Sequence, residues 1–101
     1  ISPRAAREIR RADTWWATNR PAAPGAITAE FEDALSLLAE HPGIGVPCDG
    51  VRTRGVRRLY LSTVGYFLYY RSDGTSLYIL AFWHAKRMSQ PRLQDEAVSP
   101  A

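Results

Sequence analysis

YFLYYRSDGTSLYILAFWH, residues 66–84, is the stretch that decides the fold. Two runs rich in aromatic and aliphatic side chains flank Ser72-Asp73-Gly74, a combination that favours a tight turn. The pattern predicts a β-hairpin made of strands 66–72 and 76–84. In the second run Leu77, Ile79, Ala81 and Trp83 alternate with Tyr78, Leu80, Phe82 and His84. Both sets are largely apolar, so a period of two predicts a central strand covered on both faces. Just upstream, VRRLYLS (56–62) has the same character and Gly65 breaks the chain before Tyr66. Three consecutive strands at hairpin distances predict an antiparallel meander.

A sheet of this kind needs covers, and the preceding half of the chain offers one. Ser2 can cap a helix whose first position is Pro3, where a missing N–H is harmless. Ala5, Ile9, Ala12 and Trp16 then recur at steps of three and four, predicting a helix to about Asn19 with Arg4, Arg7, Arg11 and Asp13 on other faces. Asn19-Arg20-Pro21 breaks it, and a second helix is expected with Pro21 and Pro24 in its first turn. Ile27, Phe31, Ala34, Leu35 and Leu38 form its stripe, Glu30, Glu32, Asp33 and Glu40 its acidic faces, and Pro42-Gly43 its stop. The breaker-rich residues 42–54 read as a loop. The fold class is α+β: an N-terminal helical hairpin packed on one face of a small antiparallel β-sheet. One domain over residues 1–92 is expected, with 93–101 as a C-terminal tail. The hairpin leaves the second sheet face to a C-terminal segment, a twin subunit or a protein partner. An isolated chain with that face open should be poorly soluble or self-associating.

Charge narrows the partners. The net charge is +3, and Lys86 is the only lysine among 13 basic residues, a bias toward forked contacts with phosphate or carboxylate. Arg52, Arg54, Arg57, Arg58 and Arg71 fall in a stretch without an acidic residue, a candidate anion-facing surface. Cys48 stands alone, which excludes an internal disulfide and a cysteine-built zinc cage. His41 sits at a helix end, far in sequence from His84, and no third ligand accompanies them, so neither metal nor cofactor is expected. No apolar run reaches the length of about 20 residues that a membrane span requires. A reduced, cytoplasmic protein is the simplest reading.

SPRAAREI (2–9), WWATNRPAAP (15–24), LLAEHPGIGVP (37–47), VRRLYLSTVGYFLYYRSDG (56–74) and LYILAFWHAKR (77–87) follow one another in an order that resembles the ParE/RelE superfamily of type II toxin–antitoxin toxins, and within it the ParE-like branch. The resemblance spans about residues 1–92. It implies a strand before the first helix, of which Ile1-Ser2 would be the tail. It also implies an antitoxin protein that wraps the toxin, covers apolar surface and meets the arginines with acidic residues. Trp15, Arg52, Arg54, Arg57, Arg58, Tyr78 and Phe82 are the expected antitoxin contacts; His84, Lys86, Arg87 and Met88 are the expected target contacts. ParE-like members poison DNA gyrase without known catalytic residues, whereas RelE-like members cut mRNA on the ribosome. The second activity needs a proton-transfer group and phosphate-binding cations. Here it would draw on His84, Arg58, Arg71 and Arg87, with Tyr60 or Tyr70 positioning a proton. Against it, Phe67 holds the place after Gly65-Tyr66 where RelE-like nucleases carry a basic residue. A degenerate member that binds antitoxin without toxicity is a third reading. No sequence-specific contact with nucleic acid and no membrane partner is expected.

Overall fold

The computed structural model describes residues 1–49, 53–87 and 89–93. Helix α1 spans Pro3–Asn19 and α2 Ala26–Glu40; strands β1 (Val46–Pro47), β2 (Arg57–Leu61), β3 (Tyr66–Ser72) and β4 (Leu77–His84) follow. The strands form one antiparallel sheet in the order β1-β2-β3-β4.

Ser2 links the first helix to the sheet. Its Oγ accepts from the Ala5 N–H (3.0 Å) and donates to the Leu80 carbonyl (3.1 Å), while its own N–H donates to the Ile79 carbonyl (3.0 Å). One fully buried side chain therefore caps α1 and fixes where that helix starts against β4. From there Ala5 and Ala12 of α1, and Ile27, Phe31, Ala34 and Leu38 of α2, pack on Leu61, Leu68, Tyr70, Ile79 and Phe82 of the sheet. The small α1 residues let that helix lie close to β4, and the larger α2 residues fill the remaining width.

Three expectations change. Pro21 and Pro24 lie in the connection between the helices rather than in a first turn, because α2 begins only at Ala26 after Gly25. The 42–54 segment contains β1, whose two residues pair Val46 with Arg58 and Pro47 with Arg57. Proline is tolerated there because β1 is an edge strand.

The third change concerns β4, which lies at the edge of the sheet rather than in its centre and whose two faces differ from the expected sets. Tyr69 pairs with Ala81 but Tyr70 pairs with Ile79, so Leu80 is an extra residue in a β-bulge. The alternation resets at that point. Leu80, Ala81 and Trp83 face outward, away from the helices, while Phe82 turns inward. Phe82 is 2% exposed, stacked on Tyr66 at 4.7 Å between centroids and edge-on to Phe31 of α2 at 6.5 Å. It is a core residue and not a partner contact, and its burial contributes roughly 2–3 kcal/mol.

The outward face acquires its own small core of Val56, Tyr69, Leu80, Ala81, Trp83 and Leu93. Its cover is the chain itself. Pro91 and Leu93 are buried, Trp83 Nε1 donates to the Ser89 carbonyl (2.8 Å), and Gln90 Nε2 donates to the Asp49 carbonyl (3.1 Å). Of the three covers considered from sequence, the C-terminal segment supplies this one. Leu93, placed by sequence at the start of a tail, is part of the packed structure; residues 94–101 lie outside the described residues.

Candidate functional site

The outward sheet face carries a repeated arrangement. The Arg58 guanidinium lies 4.3 Å from the centroid of the Phe67 ring, Arg71 lies 4.0 Å from Tyr78, and Arg87 lies 4.0 Å from Trp83. Phe67 and Trp83 are cross-strand partners, so two of these stacks are neighbours. Such stacking holds a guanidinium flat and leaves its donor edge free to fork onto an anion. Arg4–Glu8 is the one ion pair joining two described side chains, so the stacked arginines have no carboxylate partners among the described residues.

Arg57 behaves differently. Its Nη1 donates to the Gly45 carbonyl (2.7 Å) and the Gly43 carbonyl (3.2 Å), which ties β2 to the loop before β1. That engagement makes it a structural residue. Arg54 is exposed and available. Tyr78 is half-buried, and its hydroxyl donates to Asp73 Oδ2 (3.1 Å). Arg52 and Met88 lie outside the described residues.

At the other end of β4, a cleft of about 450 Å³ separates the strand from α1. Arg4, Glu8, Arg11, Trp15, His84 and Arg87 line it. It brings together Trp15, expected to meet the antitoxin, and His84 with Arg87, expected to meet the target. Trp15 is 47% exposed, the largest exposed ring on α1. His84 is half-buried and edge-on to Tyr66 at 4.9 Å. Its Nδ1 accepts the Lys86 N–H (3.1 Å), so the neutral ring carries its proton on Nε2. Lys86 and Arg87 are exposed on the turn that follows. Burial pushes the Tyr66 phenol up, and the charge of Arg87 opposes that rise.

Sequence reasoning missed Glu8. One carboxylate oxygen pairs with Arg4, and the other accepts the Phe82 N–H (3.0 Å), which seals part of the β4 edge. The i,i+4 spacing of Arg4 and Glu8 was visible, but the backbone partner was not.

The five nuclease candidates do not converge. Arg58, Tyr60 and Arg71 project from the outward face, whereas His84 shares the helix-facing side with its cross-strand partner Tyr66. Arg71 stands five residues along β3 from Tyr66, roughly 16 Å at the rise of a strand. Tyr60 is 51% exposed and packs its ring on Phe67 at 5.3 Å. Arg87 alone shares the cleft with His84. Tyr70, the other tyrosine considered, is fully buried on the helix side and occupied by backbone partners.

Burial pushes the half-buried Cys48 thiol up, against the charge of Arg58, and so disfavours a reactive thiolate. No group of three or more metal-ligating side chains gathers among the described residues. No helix among them is long and apolar enough to cross a membrane.

A comparison with curated proteins finds no match. The model describing the ParE toxin of the type II toxin–antitoxin system parDE matches residues 1–89, a span that takes in both helices, all four strands and the His84–Arg87 turn. The two-helix, antiparallel-sheet arrangement agrees with that match, and the chain belongs to the ParE toxin family.

Proposed function

We propose that this toxin, once released by its antitoxin, arrests DNA gyrase by occupying surface on it, without catalysis of its own. The family implies an antitoxin partner in a type II system. The single observation that carries the non-catalytic reading is the scatter of the candidate nuclease groups over two faces of the sheet. General acid–base cleavage of RNA needs its groups within hydrogen-bond reach of one phosphodiester, and of the other candidate groups Arg87 alone lines the cleft with His84. What the α1/β4 cleft does offer is a contact surface. An exposed tryptophan, a histidine and arginines around a concavity are the residue types that anchor protein interfaces. Acidic antitoxin side chains would meet the stacked Arg58 and Arg71 on the outward face, where electrostatic complementarity raises the rate of encounter.

The test uses purified toxin, gyrase and supercoiled plasmid. Stabilised gyrase–DNA cleavage complexes are expected. His84→Ala and Arg87→Gln should each weaken the effect about tenfold, the loss of a contact worth roughly 1–2 kcal/mol. A parallel incubation with ribosomes and mRNA should yield no new 5′ ends. Specific RNA cleavage that disappears in His84→Ala would establish the RelE-like ribonuclease instead. Antitoxin binding with neither activity would establish a non-toxic member.

A further inference from the structure

The outward side of α1 is not used by the fold, and only its margin, Arg11 and Trp15, borders the α1/β4 cleft. Arg7, Arg10, Arg11, Thr14 and Thr18 are all exposed there, and with Trp15 they line one shallow surface. At about 100° per residue these positions share one sector of the helix, opposite the buried Ala5 and Ala12. The two carboxylates of α1 lie outside that sector: Glu8 turns toward β4, and Asp13 falls on the far flank. None of the three arginines pairs with a carboxylate among the described residues. Arg20, 5.5 Å from the centroid of Trp15, extends the positive strip to the end of the helix.

We infer that this face binds the phosphodiester backbone of nucleic acid, without reading its sequence. Arginine forks and short hydroxyl side chains are the groups that hold phosphates, and a helix turn places Arg7 and Arg11 about 6 Å apart along one line. A protein interface would centre on apolar side chains, and here Trp15 stands alone at the edge of the strip. A membrane surface would require an apolar face to insert, but Ala5, Ile9, Ala12 and Trp16 already pack into the core.

The test measures fluorescence anisotropy of the full chain with labelled duplex DNA and, separately, with labelled RNA of the same length. Gyrase and antitoxin are absent, so the result does not depend on which enzyme the toxin arrests. Three phosphate contacts predict affinity falling about 40-fold on B-DNA between about 50 and about 200 mM salt. Replacing the strip (Arg7→Gln, Arg10→Gln, Arg11→Gln together) should weaken binding at least about tenfold and flatten that salt dependence. An equal loss of charge from the other side (Arg54→Gln, Arg58→Gln, Arg71→Gln together) should leave binding within about threefold. Backbone recognition predicts both nucleic acids bind, and a large preference for one identifies the source of the phosphates. Equal weakening by the two triple variants would reduce the effect to net charge and overturn the assignment. So would unsaturable binding by the parent chain, or a strip variant that keeps its nucleic-acid affinity.

Discussion

Gly45 is the residue where the smallest change should cost the most. A Cβ built there would lie 2.5 Å from the Tyr70 hydroxyl and 2.8 Å from the Arg58 carbonyl oxygen. The crowding exists because the Tyr70 hydroxyl accepts the Gly45 N–H (2.9 Å) and donates to the Pro42 carbonyl (2.7 Å), drawing the loop onto β3. Burial pushes this phenol up, and the Gly45 N–H and Arg57 oppose that rise. Gly45→Ala should therefore destabilise the fold by about 1–3 kcal/mol through overpacking. Tyr70→Phe should cost about 1–3 kcal/mol by leaving buried groups unpartnered. Combined, the two should cost less than their sum, because removing the hydroxyl removes the nearest clash while the Arg58 carbonyl stays in place. Urea unfolding of the four proteins measures this coupling. Strict additivity would show that the hydroxyl does not set the limit at Gly45.

Among the elements, the β3–β4 hairpin shows both what a sequence reveals and what it hides. Asp73 organises the turn: Oδ1 accepts from the N–H groups of Thr75 (3.0 Å) and Ser76 (2.7 Å) and from the Thr75 hydroxyl (2.9 Å). Gly74 follows at φ 92°, a conformation that favours glycine. Led by the Thr75 N–H, these bonds lower the Asp73 carboxyl from 3.8 to about 2. Between those values the unfolded chain binds the extra proton, so stability rises with pH across that window. The contribution of Asp73 should be fully present above the unfolded value and vanish as pH falls through about 2. A carboxyl-selective NMR titration would check it, and a midpoint at the ordinary carboxylate value would refute it. The turn residues and the strand composition made this hairpin legible in advance. The bulge was not legible, because SLYILAFWH is apolar at nearly every position and a register shift belongs to a pair of strands, not to one. That single extra residue moved Phe82 from the expected contact face into the core. Strand β1 escaped for a simpler reason: two residues, one of them proline, cannot display a period. At the site, the arginines were visible as charge, but the rings beneath Arg58 and Arg71 depend on cross-strand register and could not be read from spacing.

On the scale of the whole molecule, the sheet is covered twice by unequal means. The helical hairpin buries the inner face through Ala5, Ala12, Ile27, Phe31, Ala34 and Leu38, while the outer face relies on a short segment that includes Leu93, which is 5% exposed. That economy changes the expectation that an isolated chain would associate through an open face, since Leu80, Ala81 and Trp83 are already buried. What stays open lies toward the β1–β2 side, where Val46 is 60% and Tyr60 51% exposed. Leu93→Asp should therefore act as a lever on the outer face alone. The lost packing and the misplaced charge should cost about 2–4 kcal/mol, whereas Leu93→Met, close in volume, should cost less than about 1.5 kcal/mol. Because the inner core does not include Leu93, the Asp variant should keep its secondary structure while exposing Trp83 to quenchers and self-associating at concentrations where the parent stays monomeric. Light scattering on a sizing column, read beside tryptophan quenching, separates the outcomes. If the Asp variant is as monomeric and as well shielded as the Met variant, the 89–93 segment does not hold the outer face closed, and that cover has to come from a partner.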